Sequence, residues 1–181
     1  MVEEANFSRL HPLYIILSKI EKIGYSQSDV IVGTMPNLYE HVRNVLNFEK
    51  TVYCVPFGVT LDEVVSERIQ RASNKLNIIY AGSIGITNGL NTFIEVIKDF
   101  DIKGERNIHF HIAGSGDLLG LYKRELSKCN NCTFYGRLDQ QTLQNLISKC
   151  DVAYFSSVKS KAYDYGWSPN KLMLYLSLIH I

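Results

Sequence analysis

The sequence predicts an α/β domain built on a doubly wound parallel sheet, with a truncated stub of an earlier domain in front of it. Three observations carry that expectation. From Leu76 onward, short apolar runs alternate with amphipathic stretches of about ten residues, the pattern of strands linked by crossover helices. Glycines follow directly on the apolar runs, at Gly82, Gly114 and Gly136. A polar segment over 60–75, rich in Asp, Glu and Arg, separates this series from only two strand-like runs upstream.

Each element has its own signal. Residues 11–25 carry helical spacing in Ile16, Ile20 and Ile23, with no strand before them. Val30, Ile31 and Val32 read as a buried strand ended by Met35-Pro36, residues 37–46 as a helix, and 51–55 as a second strand closed by Pro56-Phe57-Gly58. After the connector, 76–81 is a strand and 90–100 a helix with Phe93, Ile94 and Ile97 on one face. Residues 108–113 form a strand, 118–126 a helix and 133–135 a short strand. A helix over 140–149 turns Leu143, Leu146 and Ile147 inward, and 151–156 is the last strand. Pro169 then starts a helix, as Pro can at a first helical position. Strands separated by helices in this way make a parallel sheet covered on both faces. A doubly wound domain does not open on a lone helix, so the early elements read as the tail of a preceding domain. The expected division is 1–58 for that truncated domain, 59–75 for the connector, 76–175 for the α/β domain, itself truncated, and 176–181 for a tail.

Composition narrows the function classes. Lysine and arginine number 19 against 18 acidic residues, a formal charge of +1, which gives no footprint for nucleic acid or an anionic membrane. A chain 46% apolar and 20% charged can bury a core, which excludes wholesale disorder. No run approaches the roughly 18 apolar residues of a membrane span. The acidic start, Met1-Val2-Glu3-Glu4, is unlike a signal peptide, so the cytoplasm is the expected compartment. Four cysteines are too few for a disulfide scaffold, and Cys129-Asn130-Asn131-Cys132 lacks a second ligand pair for zinc. That pair reads as a helix-to-strand turn rather than a redox motif. His109 and His111 alternate with apolar residues and share one strand face, a sheet position rather than a metal site.

The chemistry is expected at the carboxyl ends of the strands, where open α/β sheets bind ligands. Gly82, Ser83, Gly85, Asn88 and Gly89 follow the first strand of the series, Gly114, Gly116 and Asp117 the next, and Gly136 and Arg137 the third. Gly lets a backbone approach a ligand closely, and helix-start amides favour phosphate. The spacing does not fit G-x-G-x-x-G, which disfavours a nicotinamide dinucleotide, and there is no P-loop. In Tyr165-Gly166-Trp167-Ser168-Pro169-Asn170-Lys171-Leu172, the Ser168 hydroxyl, the helix amides and Lys171 suit an anion. The plainer alternative is a capped helix with an exposed lysine.

The order of these segments resembles family-4 glycosyltransferases. Asp29-Val30-Ile31-Val32 with Val55-Pro56-Phe57-Gly58-Val59 is similar to the family's "D-v-i … v-P-n-G-v-D" passage. Ile79-Tyr80-Ala81-Gly82, Phe110-His111-Ile112-Ala113-Gly114-Ser115-Gly116, Thr133-Phe134-Tyr135-Gly136 and Cys150-Asp151-Val152-Ala153 follow in family order. The stretch from Tyr165 to Tyr175 resembles "y-G-x-S-P-N-K-L-f-e-Y" of a bacterial surface-polysaccharide subgroup similar to the N-acetylfucosamine transferases of O-antigen synthesis. The resemblance spans Asp29 to Tyr175. It implies the two-domain GT-B fold with a Rossmann-like donor domain, and a retaining transfer of sugar from a nucleotide diphosphate sugar to a glycan or lipid-linked acceptor. It implies no metal requirement, no nucleic-acid partner and a place at the inner face of the membrane through the missing half. The donor-binding residues it implies are Gly82, Ser83, Gly85, Asn88, Gly89, Gly114, Gly116, Asp117, Gly136, Arg137, Ser168, Pro169, Asn170 and Lys171. The catalytic residues would lie in the acceptor domain.

The sequence also departs from the family. Relatives place Arg or Lys after the strand Gly and Lys before the later Gly, where this chain has Ser83 and Asn88. The acidic residue three beyond the S-P-N-K lysine is Leu174 here. Residues 176–181 match what a sequencing-library transposase adapter encodes, and are expected to be non-native. A GT-B sugar-nucleotide epimerase and a noncatalytic nucleotide-binding or partner module are the alternative readings.

Overall fold

The computed structural model describes residues 10–58 and 75–178. Two compact units divide the chain: one comprises the sequence up to Gly58 together with Lys159–Asn170, the other Val59–Val158 with the residues from Lys171 onward. Residues 59–74 of the expected connector lie outside the described residues, as do 179–181 of the expected tail.

The first unit holds α1 (Pro12–Gln27), β1 (Ile31–Gly33), α2 (Leu38–Leu46) and β2 (Val52–Cys54). His11 begins α1 by accepting the Leu13 N–H on its Nδ1 at 3.2 Å, with Pro12 in the first turn. Strands β1 and β2 pair in parallel, Ile31 opposite Val52 and Gly33 opposite Cys54. Ile31, Leu38, Val42 and Leu46 form its small core. Residues Ile16, Ile20 and Ile23, whose spacing gave α1 away, are exposed rather than packed. The returning segment is fastened here: the Asn37 N–H donates to the Tyr165 carbonyl at 2.9 Å, and the Tyr165 ring lies 5.0 Å from that of His41.

The second unit is the expected doubly wound sheet. It runs β3 (Leu76–Ala81), α3 (Asn91–Ile102), β4 (Ile108–Ala113), α4 (Leu119–Glu125), β5 (Cys132–Gly136), α5 (Gln140–Ile147), β6 (Val152–Ala153) and α6 (Asn170–Leu178). The strands are parallel, in the order β5-β4-β3-β6. Alternation along β3 and β4 sends Tyr80, Phe110 and Ile112 to one face, where Phe93, Ile94 and Ile97 of α3 and Tyr122 of α4 cover them. Phe93 anchors this layer, stacked on Tyr154 at 4.4 Å and edge-on to Phe110 at 5.5 Å. Ile79, Ala81 and Ala113 point the other way, against Leu143, Leu146 and Ile147 of α5 and Leu174 and Tyr175 of α6. Burial of these apolar side chains is the main force holding sheet and helices together.

Element ends shift by a residue or two. Helix α5 stops at Ile147 rather than 149, and starts where the Asp139 carboxylate accepts the Thr142 N–H at 2.9 Å, an N-cap. Helix α6 begins at Asn170, one residue after Pro169, and 176–178 of the expected tail form its last turn. Strand β6 is two residues long instead of six, because the chain turns away from β3 after Tyr154 donates its N–H to the Ile79 carbonyl.

Candidate functional site

The carboxyl edge of β3, β4, β5 and β6 is one continuous ledge of backbone in the second unit. The ladder simply continues past the strands into the loops. The Gly82 N–H donates to the Ala113 carbonyl at 2.9 Å, and the Ile84 N–H to that of Ser115 at 2.9 Å. The Gly114 N–H reaches the Gly136 carbonyl at 2.7 Å. On the other side, the Val158 N–H donates to the Thr87 carbonyl at 3.2 Å, and the Ser156 hydroxyl to that of Asn88 at 2.7 Å. Loops this close exclude side chains between them. A Cβ on Gly114, whose φ is +148°, would run into the Gly82 carbonyl oxygen, and one on Gly116 would meet that of Ile84. The ledge therefore gathers Gly82, Ser83, Gly85, Asn88, Gly89, Gly114, Gly116 and Gly136. Ser83, Gly116 and Asp117 are exposed along it. Arg137 follows Gly136, exposed and without a hydrogen-bond or ion-pair partner among the described residues.

Lys171, in the first turn of α6, brings a cation to this ledge. Its ammonium donates to Asn88 Oδ1 at 2.9 Å and to the Tyr80 hydroxyl oxygen at 3.2 Å. It also lies 4.9 Å from the Tyr80 ring centroid and 5.4 Å from that of Phe155, within cation–π range. The plain alternative of an exposed lysine is thus corrected: Lys171 is half-buried, and burial pulls its pKa below the ordinary lysine value. Among the described residues no carboxylate pairs with it.

Tyr175, one turn further along α6, holds the helix to the sheet. Where β6 has left β3, the Ala81 N–H donates to the Tyr175 hydroxyl at 2.7 Å and that hydroxyl donates back to the Ala81 carbonyl at 3.0 Å. A side chain thereby supplies the pairing that a longer strand would have given. Leu174, the departure from the acidic residue of the family pattern, packs against the cluster of Ile79, Ala81, Ala113, Ile147 and Tyr175.

Ser168, Pro169 and Asn170 belong to the first unit, ahead of Lys171 in sequence. The Ser168 hydroxyl oxygen is buried without a hydrogen-bond partner among the described residues, so it is not the helix cap of the plainer alternative. Tyr80, Phe155, Ser156 and Tyr175 complete the surroundings of Lys171 and the Asn88 loop, yet sequence reasoning assigned them no role. Tyr80 and Tyr175 look like ordinary core aromatics in a sequence; only their hydroxyls, each finding a partner at the ledge, set them apart.

The other candidates resolve plainly. Burial raises the thiol pKa of Cys129, that of Cys132 to about 11 and that of Cys150 to about 12, opposite to the shift a reactive thiolate needs. His109 and His111 do share a strand face, with rings 4.9 Å apart. His109 Nε2 is engaged by Thr133, and the two nitrogens of His111 by Tyr135 and Asn77. Among the described residues no cluster of three or more His, Cys, Asp or Glu could hold a metal. Nor is any described helix long and apolar enough to cross a membrane.

A parallel sheet covered by helices on both faces is the Rossmann-like architecture of GT-B glycosyltransferase domains. The chain belongs to the family of group 1 glycosyl transferases, whose sequence model matches residues 62–162, more than half its length. No curated protein matches it in sequence. Similar solved structures include WaaG, a glycosyltransferase involved in lipopolysaccharide biosynthesis, at 14% identity and TM-score 0.65, covering 87% of this chain and 47% of that one. The pneumococcal O-GlcNAc transferase GtfA, in complex with UDP and GlcNAc, aligns at 12% identity and TM-score 0.66 over 87% of this chain and 30% of its own. An E. coli structure described as trehalose-6-phosphate bound with UDP-2-fluoro glucose aligns at 11% identity and TM-score 0.68, over 95% and 47%. These likenesses establish the fold, and the chain spans about half or less of the length of each.

Proposed function

We propose that this chain supplies the nucleotide-sugar side of a retaining glycosyltransferase of cell-envelope glycan synthesis, passing the sugar to a polysaccharide or lipid-linked acceptor without a metal. The observation that carries the reading is the Lys171 ammonium beside the glycine ledge, 2.9 Å from Asn88 Oδ1 and without a carboxylate partner among the described residues. A donor diphosphate needs positive charge and close backbone amides, and this edge offers both. Ser83 and Asn88 bring no charge, so Lys171 is the cation of the ledge that faces the phosphates, and Arg137 reaches the base or a phosphate. The surface-polysaccharide subgroup, with its N-acetylfucosamine transferases, is supported by the run Ser168-Pro169-Asn170-Lys171-Leu172. Two fold neighbours hold UDP or a UDP sugar, which makes uridine the first base to try.

Transfer also requires an acceptor held against the donor, a proximity effect that one wall of a cleft does not provide. The 181-residue chain is therefore proposed to bind donor without turning it over. Calorimetry with UDP, GDP, CDP and dTDP sugars, with and without EDTA, tests the reading. The expected result is binding of one base class, unchanged by EDTA, and no sugar transfer. Failure of every nucleotide sugar to bind the chain would overturn the reading, and binding lost in EDTA would overturn its metal independence.

A further inference from the structure

The surroundings of Lys171 have a property that binding a phosphate does not by itself require: among the described residues every group touching the ammonium is neutral, and its two hydrogen-bond acceptors are independently fixed. Tyr80 is fully buried, and its hydroxyl is spent as a donor on the Ser83 carbonyl at 2.5 Å, which leaves its lone pairs facing Lys171. Asn88 is tied on both sides, its N–H donating to the Gly85 carbonyl at 3.2 Å and its carbonyl accepting the Ser156 hydroxyl at 2.7 Å. The Tyr80 and Phe155 rings add two π faces. A lysine stem is otherwise among the most mobile in a protein, and ordering it only when a ligand arrives weakens binding. An acidic partner would order it too, but would cancel the charge. Neutral acceptors order it and leave the charge whole, with two of its three N–H donors used among the described residues.

We propose that Tyr80 and Asn88 are positioning residues that hold the Lys171 ammonium in place, uncompensated, for a donor phosphate. Tyr80 thereby acts on the ligand only through Lys171, and Asn88 acts through Lys171 rather than by touching the donor. The ligand part of this inference rests on the proposed donor site; the clamp itself does not.

A double-mutant cycle on the 181-residue chain, with UDP as the calorimetric probe, tests it. Lys171→Met should weaken UDP about ten- to hundredfold, the loss of one charge-assisted contact. Tyr80→Phe and Asn88→Ala should each weaken UDP about three- to tenfold in the parent and less than about twofold once residue 171 is changed to Met. Equal weakening in both backgrounds would show that the two act on the fold and would overturn the proposal, as would full UDP affinity in Lys171→Met. Side-chain NMR of Lys171 in the ligand-free chain gives a second readout that a merely structural role would not move. Each acceptor removed destabilises the charged form, so the Lys171 titration midpoint should move further down in Tyr80→Phe and in Asn88→Ala. An unmoved midpoint in both variants overturns the clamp whatever UDP does. A moved midpoint in a parent chain that binds no UDP supports the clamp and sinks the donor site.

Discussion

The two faces of the four-stranded sheet differ in kind. The face under α3 and α4 is packed mainly with aliphatic and aromatic side chains, with Tyr80, Phe93, Ile97, Phe110 and Ile112 all at 2% exposure or less. The face under α5 and α6 is apolar only near the carboxyl edge, around Ile79, Ala81 and Ala113. Elsewhere it carries a polar network. Tyr135 donates its hydroxyl to His111 Nδ1 at 2.8 Å, His111 Nε2 donates to Asn77 Oδ1 at 3.1 Å, and His109 Nε2 meets Thr133 Oγ1 at 2.8 Å. The first face concentrates stability in packing that is indifferent to pH. The second depends on hydrogen bonds and protonation states. Both converge on the ledge, the first through the Tyr80 hydroxyl and the second through Tyr175.

The largest effect should come from breaking the dry face. Phe93→Ala removes the ring that stacks on Tyr154 and meets Phe110, and should cost about 3–5 kcal/mol by chemical denaturation. A loss below about 1 kcal/mol would mean the stability lies elsewhere. Tyr175→Phe should cost about 2 kcal/mol, since it strips the buried Ala81 N–H and carbonyl of their shared partner while leaving the ring in place. A neutral Tyr175→Phe would mean that water replaces the hydroxyl.

The polar face should show itself in acid. Burial, then His109, pulls the His111 pKa from 6.5 to about 4. The unfolded chain then binds the proton more readily than the fold does, so this contribution is complete above about pH 6.5 and is lost as the pH falls towards 4. His111→Gln should flatten the fall of melting temperature across that window by about a few degrees, a modest change because the half-exposed ring is partly screened. Identical pH profiles would remove His111 from the account. The smallest stability effect belongs to Lys171→Met. Relief of a half-buried charge offsets two lost hydrogen bonds, and thermal melts should agree with the parent within about 0.5 kcal/mol.

The sequence made the second unit legible because its signals are local. Apolar runs at 76–81 and 108–113 mark β3 and β4 to the residue, and glycines after them mark the ledge. Lys171 was visible as a cation at a helix start. Its clamp was not, since Tyr80 and Lys171 are 91 positions apart and nothing local couples a tyrosine on one strand to a lysine on the last helix. The brevity of β6 was equally hidden. Residues 151–156 have strand character, but Tyr175 rather than the rest of that run takes the pairing groups of Ala81. The apolar stripe of α1 gave its helix correctly while saying nothing of what it packs on.

The central claim, that the carboxyl edge of this sheet receives the donor phosphates, is most directly tested by titrating UDP into the 15N-labelled chain and following its backbone amides. The account predicts saturable shifts confined to the loops from Gly82 to Gly89, Gly114 to Asp117 and Gly136 to Arg137 and to the start of α6, strongly reduced in Lys171→Met. Shifts centred instead on the His109–His111 network, or undiminished in Lys171→Met, would contradict it.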